Sequence, residues 1–451
     1  MNEVKKLGLL LFTTFLSTSG YSADLIEAFR QALQHDNIYQ EAILNSLAQN
    51  EDVAINRASL LPIAQFDAQP LLDQASNSGV IVPNTLPPNN SIRSYEMRLS
   101  LAQPIFNFAT FSRYKAAKIS AQAAVAKLNA DLQDLMLRVT DAYFKVLRSE
   151  KKLAYLRANQ RALARQLMEV QQKFKAGKTT QNDIDIAQSS SSNAAAEYIT
   201  AETELASARE QLAELTAQDY TQLADLRARL PLISPQPANP DRWVHKAVQG
   251  NWIIKGNQLK VRAARETVKQ KYAAHLPTVN AKVLYDTNAF HYSQGSIILP
   301  SGSSRLKNAA AFLNINVPIF SGGLVVASTR KAQLRFRIAQ QRLEHSLRQV
   351  KYQVRSSYRN VIANIKKIRY DEDAISSANS SLRGLRERYQ AGSGNLTDVL
   401  LQQAKLLQVQ MNYEAARYNY VLSLIRLKKE AGTLSTHDLF AVNQWLQKDQ
   451  V

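Results

Sequence analysis

Ala309-Ala310-Ala311-Phe312-Leu313-Asn314-Ile315-Asn316-Val317-Pro318-Ile319-Phe320 reads as a strand with two unlike faces, closed by a proline. Ala309, Ala311, Leu313, Ile315 and Val317 project to one side and Asn314 and Asn316 to the other, the period of two that a strand requires. About 215 residues earlier the same text occurs. There Tyr95, Met97, Leu99 and Leu101 alternate with Glu96, Arg98 and Ser100, and Gln103-Pro104-Ile105-Phe106 answers Val317-Pro318-Ile319-Phe320. Each strand has an upstream companion. Ala64, Phe66 and Ala68 oppose Gln65, Asp67 and Gln69; Val279, Ala281, Val283 and Tyr285 oppose Asn280 and Lys282.

The offset holds beyond the strands, so the whole chain is a tandem repeat. Leu61-Pro62 answers Leu276-Pro277 and Tyr143 answers Tyr358. Lys173-Phe174-Lys175-Ala176-Gly177 with Asn182-Asp183 answers Arg388-Tyr389-Gln390-Ala391-Gly392 with Thr397-Asp398. Each copy runs helix, strand, loop, strand, very long helix, helix.

Proline placement supports the helices. All 13 prolines lie at 62–104, 231–240 or 277–318, leaving 105–230 and 319–451 without any; proline inside a helix costs about 3 kcal/mol. Leu128, Leu132, Leu135, Val139, Tyr143 and Val146 share their spacing with Leu343, Leu347, Val350, Val354, Tyr358 and Val361, and the stripe resumes at Leu163, Leu167, Val170 and Phe174. One helix is expected from Phe111 to Gly177, about 100 Å long at about 1.5 Å per residue. A second, Asn182 to Ala217, returns along it, and the N-terminal helix Asp24 to Ala58 completes the length. The second copy offers Arg242 to Ala274, Gly323 to Ala391 and Leu396 to Gly432. These read as antiparallel coiled coils with apolar seams, although a plain helix-bundle core would show the same stripes.

Each strand pattern covers about 10 residues, the length of a tilted strand crossing an outer membrane. Four strands do not close a barrel, for which about eight is the usual minimum, so they must join strands of other chains. A soluble sandwich fits the alternation too, but leaves the very long helices unexplained. The fold class expected is therefore an α+β membrane protein, with long α-helical coiled coils, four transmembrane strands per chain and two tandem repeats.

Residues 1–22 read as an export signal: Lys5 and Lys6, an apolar run from Leu7 to Leu16, then small residues near Ser22. That run is too short for the roughly 20 residues of a spanning helix. With no cysteine there is neither a disulfide framework nor a lipidated N-terminal Cys. The formal charge of +19 is scattered, with no aromatic-basic interleaving, which argues against nucleic acid. The six histidines, at 35, 245, 275, 291, 345 and 437, form no metal-spaced pair, and no phosphate-binding glycine loop occurs. Asp371-Glu372-Asp373 reads as a solvated helix face. The chain is expected not to be an enzyme and to need no cofactor.

The duplicated Leu-Pro strand starts, Pro318-Ile319-Phe320-Ser321-Gly322-Gly323, the paired Ala-Gly turns and Ala415-Ala416-Arg417-Tyr418-Asn419-Tyr420 together resemble the TolC-type outer-membrane efflux family over essentially all of the chain after residue 22. The resemblance implies a homotrimer with a 12-stranded β-barrel in the outer-membrane lipid of a Gram-negative bacterium and an α-barrel tunnel in the periplasm. It implies the role of an exit channel for drugs, other small molecules or secreted polypeptides. A periplasmic adaptor and an inner-membrane RND or ABC transporter would hand it substrate. A non-channel coiled-coil protein of the cell envelope, structural or adaptor, is the alternative; it would not need two amphipathic strand pairs.

The same resemblance assigns the helix turns to a gate. Tyr389 and Asp183, with Asn182 beside it, occupy the positions of a latch between the two hairpins, and a phenol donating to a carboxylate is a charge-assisted bond. Alternatively Asp183 caps its own helix and Tyr389 packs on its own. Asp398 matches a carboxylate ring at the constriction, where like charges repel and attract cations; alternatively it favours a helix N-terminus. Gly177, Gly392 and Gly394 are the turn glycines. Gly394 stands where relatives place a latch Arg and Leu401 where they place a second ring Asp. Lys175, Lys178 and Arg388 make a basic mouth, suited to anionic substrates or an acidic adaptor tip.

The organisation expected is a signal peptide at 1–22, a first repeat at 23–230, a Pro-rich linker at 231–241, a second repeat at 242–433 and a tail at 434–451 that packs with the linker. Loops at 71–93 and 286–307, with the apolar runs Val80-Ile81-Val82-Pro83 and Ile297-Ile298-Leu299-Pro300, join each strand pair and face outward.

Overall fold

The computed structural model describes residues 23–76, 89–292 and 302–447. The signal segment, the two apolar loop runs and residues 448–451 lie outside the described residues. In chain order the elements are α1 (Leu25–His35), α2 (Asn37–Ala58), β1 (Ile63–Ser76), β2 (Asn89–Phe106), α3 (Phe108–Lys175), α4 (Gln181–Thr216), β3 (Asp225–Leu226), α5 (Pro240–Gly250), α6 (Trp252–Tyr272), β4 (Thr278–Tyr292), β5 (Gly302–Asn316), α7 (Leu324–Gln390), α8 (Leu396–Glu430), α9 (Thr436–Asn443) and β6 (Leu446–Gln447). Two tandem repeats of helices and strands are present, and α3 and α7 hold 68 and 67 residues. Among the described residues no helix is long and apolar enough to cross a membrane.

The chain divides into two compact units. One, formed by residues 42–130 and 252–349, holds the four-stranded antiparallel sheet in the order β1-β2-β4-β5. Its register places Phe66, Leu99, Tyr285 and Ala309 in one row and Ala64, Leu101, Val283 and Ala311 in the next, all on one face. Asp67, Arg98, Asp286 and Asn308 form a row on the other. Phe66, Leu99, Leu101, Val283, Tyr285, Leu313 and Ile315 are exposed, so the apolar face is bare in one chain.

The strands run 14 to 18 residues rather than about 10. They extend into the loops expected at 71–93 and 286–307. Ser, Asn and Asp read as loop residues, yet the ladder pairs 71–76 with 89–94 and 286–292 with 302–308, and pairing outweighs weak intrinsic preference. Pro104 sits in the inner strand β2, where the register shifts between Pro104 and Phe106, the bulge that tolerates a missing N–H. Its counterpart Pro318 follows the edge strand β5, and Ile319 and Phe320 are 95% and 88% exposed. In this unit α6 approaches α3 closely, with Gly256 beside Ala123 and Ala126.

The other unit comprises residues 1–41, 131–251 and 350–451. Leu135, Val139, Tyr143 and Val146 of the α3 stripe are buried, as are Val350, Val354 and Val361 of α7. The single helix expected at 24–58 is broken. Asp36 ends α1 and caps α2, accepting from the Tyr39 N–H at 2.7 Å, while Asp24 caps α1. The helix expected at 242–274 breaks at the equivalent Asn251. Arg138 of α3 grips Asp36 with both terminal guanidinium nitrogens, at 2.7 and 2.8 Å. Burial raises the Asp36 carboxyl, but the Arg138 pair and the Tyr39 N–H outweigh it and hold the group below its ordinary value.

Candidate functional site

Both hairpin turns use one backbone solution. α3 closes with Gly177 N–H to Phe174 C=O at 2.8 Å and Lys178 N–H to Lys173 C=O at 2.8 Å; α7 closes with Gly392 N–H to Tyr389 and Ser393 N–H to Arg388, at 3.1 and 3.0 Å. This is the Schellman pattern, and it needs the left-handed residue that Gly177 (φ +69°) and Gly392 (φ +77°) supply. Gly394 serves differently. A Cβ there would stand 3.0 Å from the Tyr389 nitrogen and 3.2 Å from the Arg388 carbonyl carbon, so a larger residue displaces the turn.

The following helices start unlike each other. Thr180 caps α4, and Asp183 answers in a capping box, accepting from Thr179 Oγ1 at 2.5 Å, Thr180 Oγ1 at 3.0 Å and the Thr180 N–H at 3.2 Å. These bonds, the Thr179 hydroxyl first, hold the Asp183 carboxyl below its usual value. Asn395 caps α8 by accepting from the Asp398 N–H at 2.8 Å. The Asp398 carboxylate itself is exposed and accepts no hydrogen bond among the described residues. Asn182 is exposed beside Asp183.

Tyr389 is half-buried between two apolar clusters. One is Ala378, Leu382, Val399 and Leu406 within the second hairpin. The other, Val170, Ala187 and Leu396, joins the first hairpin to the second. Lys173 Nζ lies 4.4 Å over the Tyr389 ring, a cation–π contact. Burial, then the charges of Asp183 and Glu169, push the Tyr389 phenol up. Asp183 and Tyr389 are thus brought within each other's field, but in one chain the hydrogen bonds of Asp183 go to Thr179 and Thr180.

The sequence reading missed the polar links above this cluster. Gln403 of α8 donates to Asn159 Oδ1 of α3 at 2.9 Å and accepts from Arg386 of α7 at 2.9 Å, tying three helices. No motif marks these residues; only their helical phase on the facing sides would have found them. Among the described residues no group of His, Asp and Glu is placed to hold a metal. The arrangement packs the second hairpin against the first through the Tyr389 ring, the Lys173 ammonium and the Val170, Ala187 and Leu396 cluster.

The motif Ala415 to Tyr420 acts elsewhere in the same unit. Tyr418 donates to Asp225 Oδ1 at 2.7 Å, and Lys151 pairs with Asp225 Oδ2 at 2.7 Å. Arg417 donates to the Arg227 carbonyl at 2.5 Å. The Tyr420 hydroxyl accepts from the Ile233 N–H at 2.7 Å and donates to nearby carbonyls. One turn of α8 therefore anchors the segment 225–233, and β3 pairs with β6 of the tail. Burial first, then the Asp225 charge, pushes the Tyr418 phenol far above its ordinary value.

A family model described as "Outer membrane efflux protein" matches this chain twice, over residues 28–218 and 243–433. The chain is 27% identical over 434 residues to the outer membrane protein TolC of Vibrio cholerae, covering 96% of each. It is 28% identical over 460 residues to the proteases secretion protein PrtF of Dickeya chrysanthemi, covering 98% of this chain and 96% of that one. Among solved structures, a membrane protein from Pseudomonas aeruginosa superposes with a TM-score of 0.78 at 18% identity, covering 94% of this chain and 96% of that one.

Proposed function

The chain belongs to the outer membrane efflux protein family, and from that premise we propose that three copies form one channel, each giving four strands to a 12-stranded barrel and its coiled coils to a periplasmic tunnel. The outer membrane is its location and export through that membrane its function. The observation that carries the trimer is the bare sheet. Its apolar face and its two outer strands, β1 and β5, are uncovered in a single chain, and four strands are about half of the smallest usual barrel.

In this reading the channel is not an enzyme and has no cofactor. Its partners are a periplasmic adaptor and an inner-membrane RND or ABC transporter, while drugs, other small molecules or secreted polypeptides are its cargo. Residues 1–22 are the export signal, 23–230 and 242–433 the repeats, 231–241 the linker and 434–451 the tail. The turns are the gate. Tyr389 and Asp183, with Asn182, latch the second repeat's hairpin to the first repeat's, and three Asp398 carboxylates ring the mouth near Lys175, Lys178 and Arg388. The unengaged carboxylate of Asp398 supports the ring; the field between Asp183 and Tyr389 supports the latch. Gly177, Gly392 and Gly394 shape the turns that carry both.

The test is direct. The mature chain should need detergent for extraction, run as a trimer by mass, and open cation-sensitive conductance in a planar bilayer. A chain that stays soluble without detergent would remove the channel reading.

A further inference from the structure

We infer that the loop end of the sheet's apolar face binds the phosphate groups of acylated lipids in the outer leaflet. This rests on the reading of the sheet as a barrel wall with its strand-pair loops outward.

The charged residues of the sheet are sorted by face. Asp67, Glu96, Arg98, Lys282 and Asp286 share the polar face. On the apolar face Arg93, Arg305 and Lys307 are the charged residues with described side chains; all three are cations, and His291 joins them. Arg93 pairs with His291, Arg305 with Ala289 one row nearer the helices, and Lys307 with Thr287 one row nearer still. All four side chains are exposed, and none of the three cations enters an ion pair among the described residues.

Their depth agrees with a headgroup. Ala309, Ala311, Leu313 and Ile315 lie between Lys307 and the helix end of β5 on the same face. From Ile315 to Lys307 is about 27 Å along a strand, or about 20 Å of depth at the usual tilt, against an apolar band about 25 Å tall. Arg305, two residues further along β5, reaches about 25 Å by the same measure, so the cations straddle the loop-side boundary of the band, with Lys307 just inside it on a stem long enough to carry its ammonium outward. A scatter of tolerated charges would include both signs, whereas here the sign is uniform. Arg93 and Arg305 offer the forked donors that suit phosphate oxygens, and the rows of Phe66, Leu99, Tyr285 and Ala309, then Ala64, Leu101, Val283 and Ala311, give acyl chains a surface beneath. The ligand class is a phosphorylated, multiply acylated lipid.

The assembled protein in detergent is titrated with bisphosphorylated lipid A and with the same lipid stripped of phosphate, binding being read by native mass spectrometry. Wild type should prefer the phosphorylated form by about 100-fold, at about fivefold per cation, with the preference falling as salt rises. R93Q/R305Q/K307Q should lose that preference; R98Q/K282Q, with its charges removed from the other face, should keep it. If the triple variant does not assemble, Arg305→Gln alone should show the fivefold loss. Equal binding of the two lipids by wild type, an equal loss in R98Q/K282Q, or displacement by inorganic phosphate at the lipid's own concentration would each overturn the site. Bilayer conductance of the same preparation separates the two readings: a protein that conducts but ignores phosphate loses only this site, and one that never inserts loses the barrel.

Discussion

Gly432 and Gly177 hold the same place at the ends of their helices, both at φ +69°, but their surroundings differ. Around Gly177 a Cβ would meet nothing within 4 Å; at Gly432 it would stand 2.5 Å from the Asn251 Cα and 2.6 Å from the Asn251 nitrogen. The obstacle is backbone at the α5–α6 break, held by the Asn251 side chain donating to the Glu430 carbonyl at 2.9 Å. It has no rotamer with which to give way. Gly177→Ala should therefore cost only the left-handed penalty, about 1–2 kcal/mol. Gly432→Ala adds overpacking of about 1–3 kcal/mol, for a total of about 2–5 kcal/mol. The three tryptophans, Trp243, Trp252 and Trp445, are an intrinsic probe; two of them flank the α5–α6 break in sequence. Urea midpoints from their fluorescence, measured on the assembled protein in detergent, should fall in the order wild type, Gly177→Ala, Gly432→Ala. Equal midpoints for the two variants would refute the argument that the break, rather than the turn, sets the constraint.

Tyr389→Phe should raise the conductance of the closed channel several-fold if the phenol is a latch; a closed state indistinguishable from wild type in single-channel records would remove it. Asp398→Asn should weaken block by divalent cations at the periplasmic side, because three carboxylates leave the mouth together, and unchanged block would place them elsewhere. Tyr418→Phe leaves Asp225 with one side-chain donor fewer and should cost about 1–2 kcal/mol in the same urea assay; an unchanged midpoint would show that Lys151 suffices. Asp36 and Asp183 have folded-state values below the ordinary carboxylate, so their stabilisation is present above the unfolded value of 3.8 and is lost as pH falls through the folded values. Asp36→Asn should flatten that acid dependence, seen as urea midpoints against pH between about 5 and 2.

The frame was legible because it repeats and is periodic. The stripes at Leu135 to Val146 and Val350 to Val361, the alternation at Tyr95 to Leu101, and Gly177 with Gly392 all carry their structure locally. What escaped reading depends on partners far along the chain. The break at Asp36 has no glycine or proline to announce it; an Asx cap followed by Asn37 was the available sign, and its repeat at Asn251 lies 215 residues on, the arithmetic difference of those numbers. The polar ends of the strands read as loops because their order comes from the neighbouring strand. At the turns the types of residue were plain but their bonds were not. Asp183 and Asp398 look alike in sequence, and Thr179 and Thr180, the hydroxyls four and three residues before Asp183 where Asp398 has Gly394 and Asn395, decide that only the first is engaged.

The sheet order β1-β2-β4-β5 ends in two unlike edges. All four strands meet their helices at one end, since Ile63 pairs with Ala102, Val279 with Phe106 and Thr278 with Asn316. Joining like edges about a twofold axis would reverse one copy and carry its helices to the opposite side of the membrane. In the proposed channel only β5 of one copy against β1 of the next would keep them together, a head-to-tail contact that is finished when the ring closes. One or two copies alone still expose two strand edges to lipid, where unpaired backbone is costly. Assembly of the proposed ring should therefore be all-or-none, and a single copy with a blocked edge should poison the ring it enters.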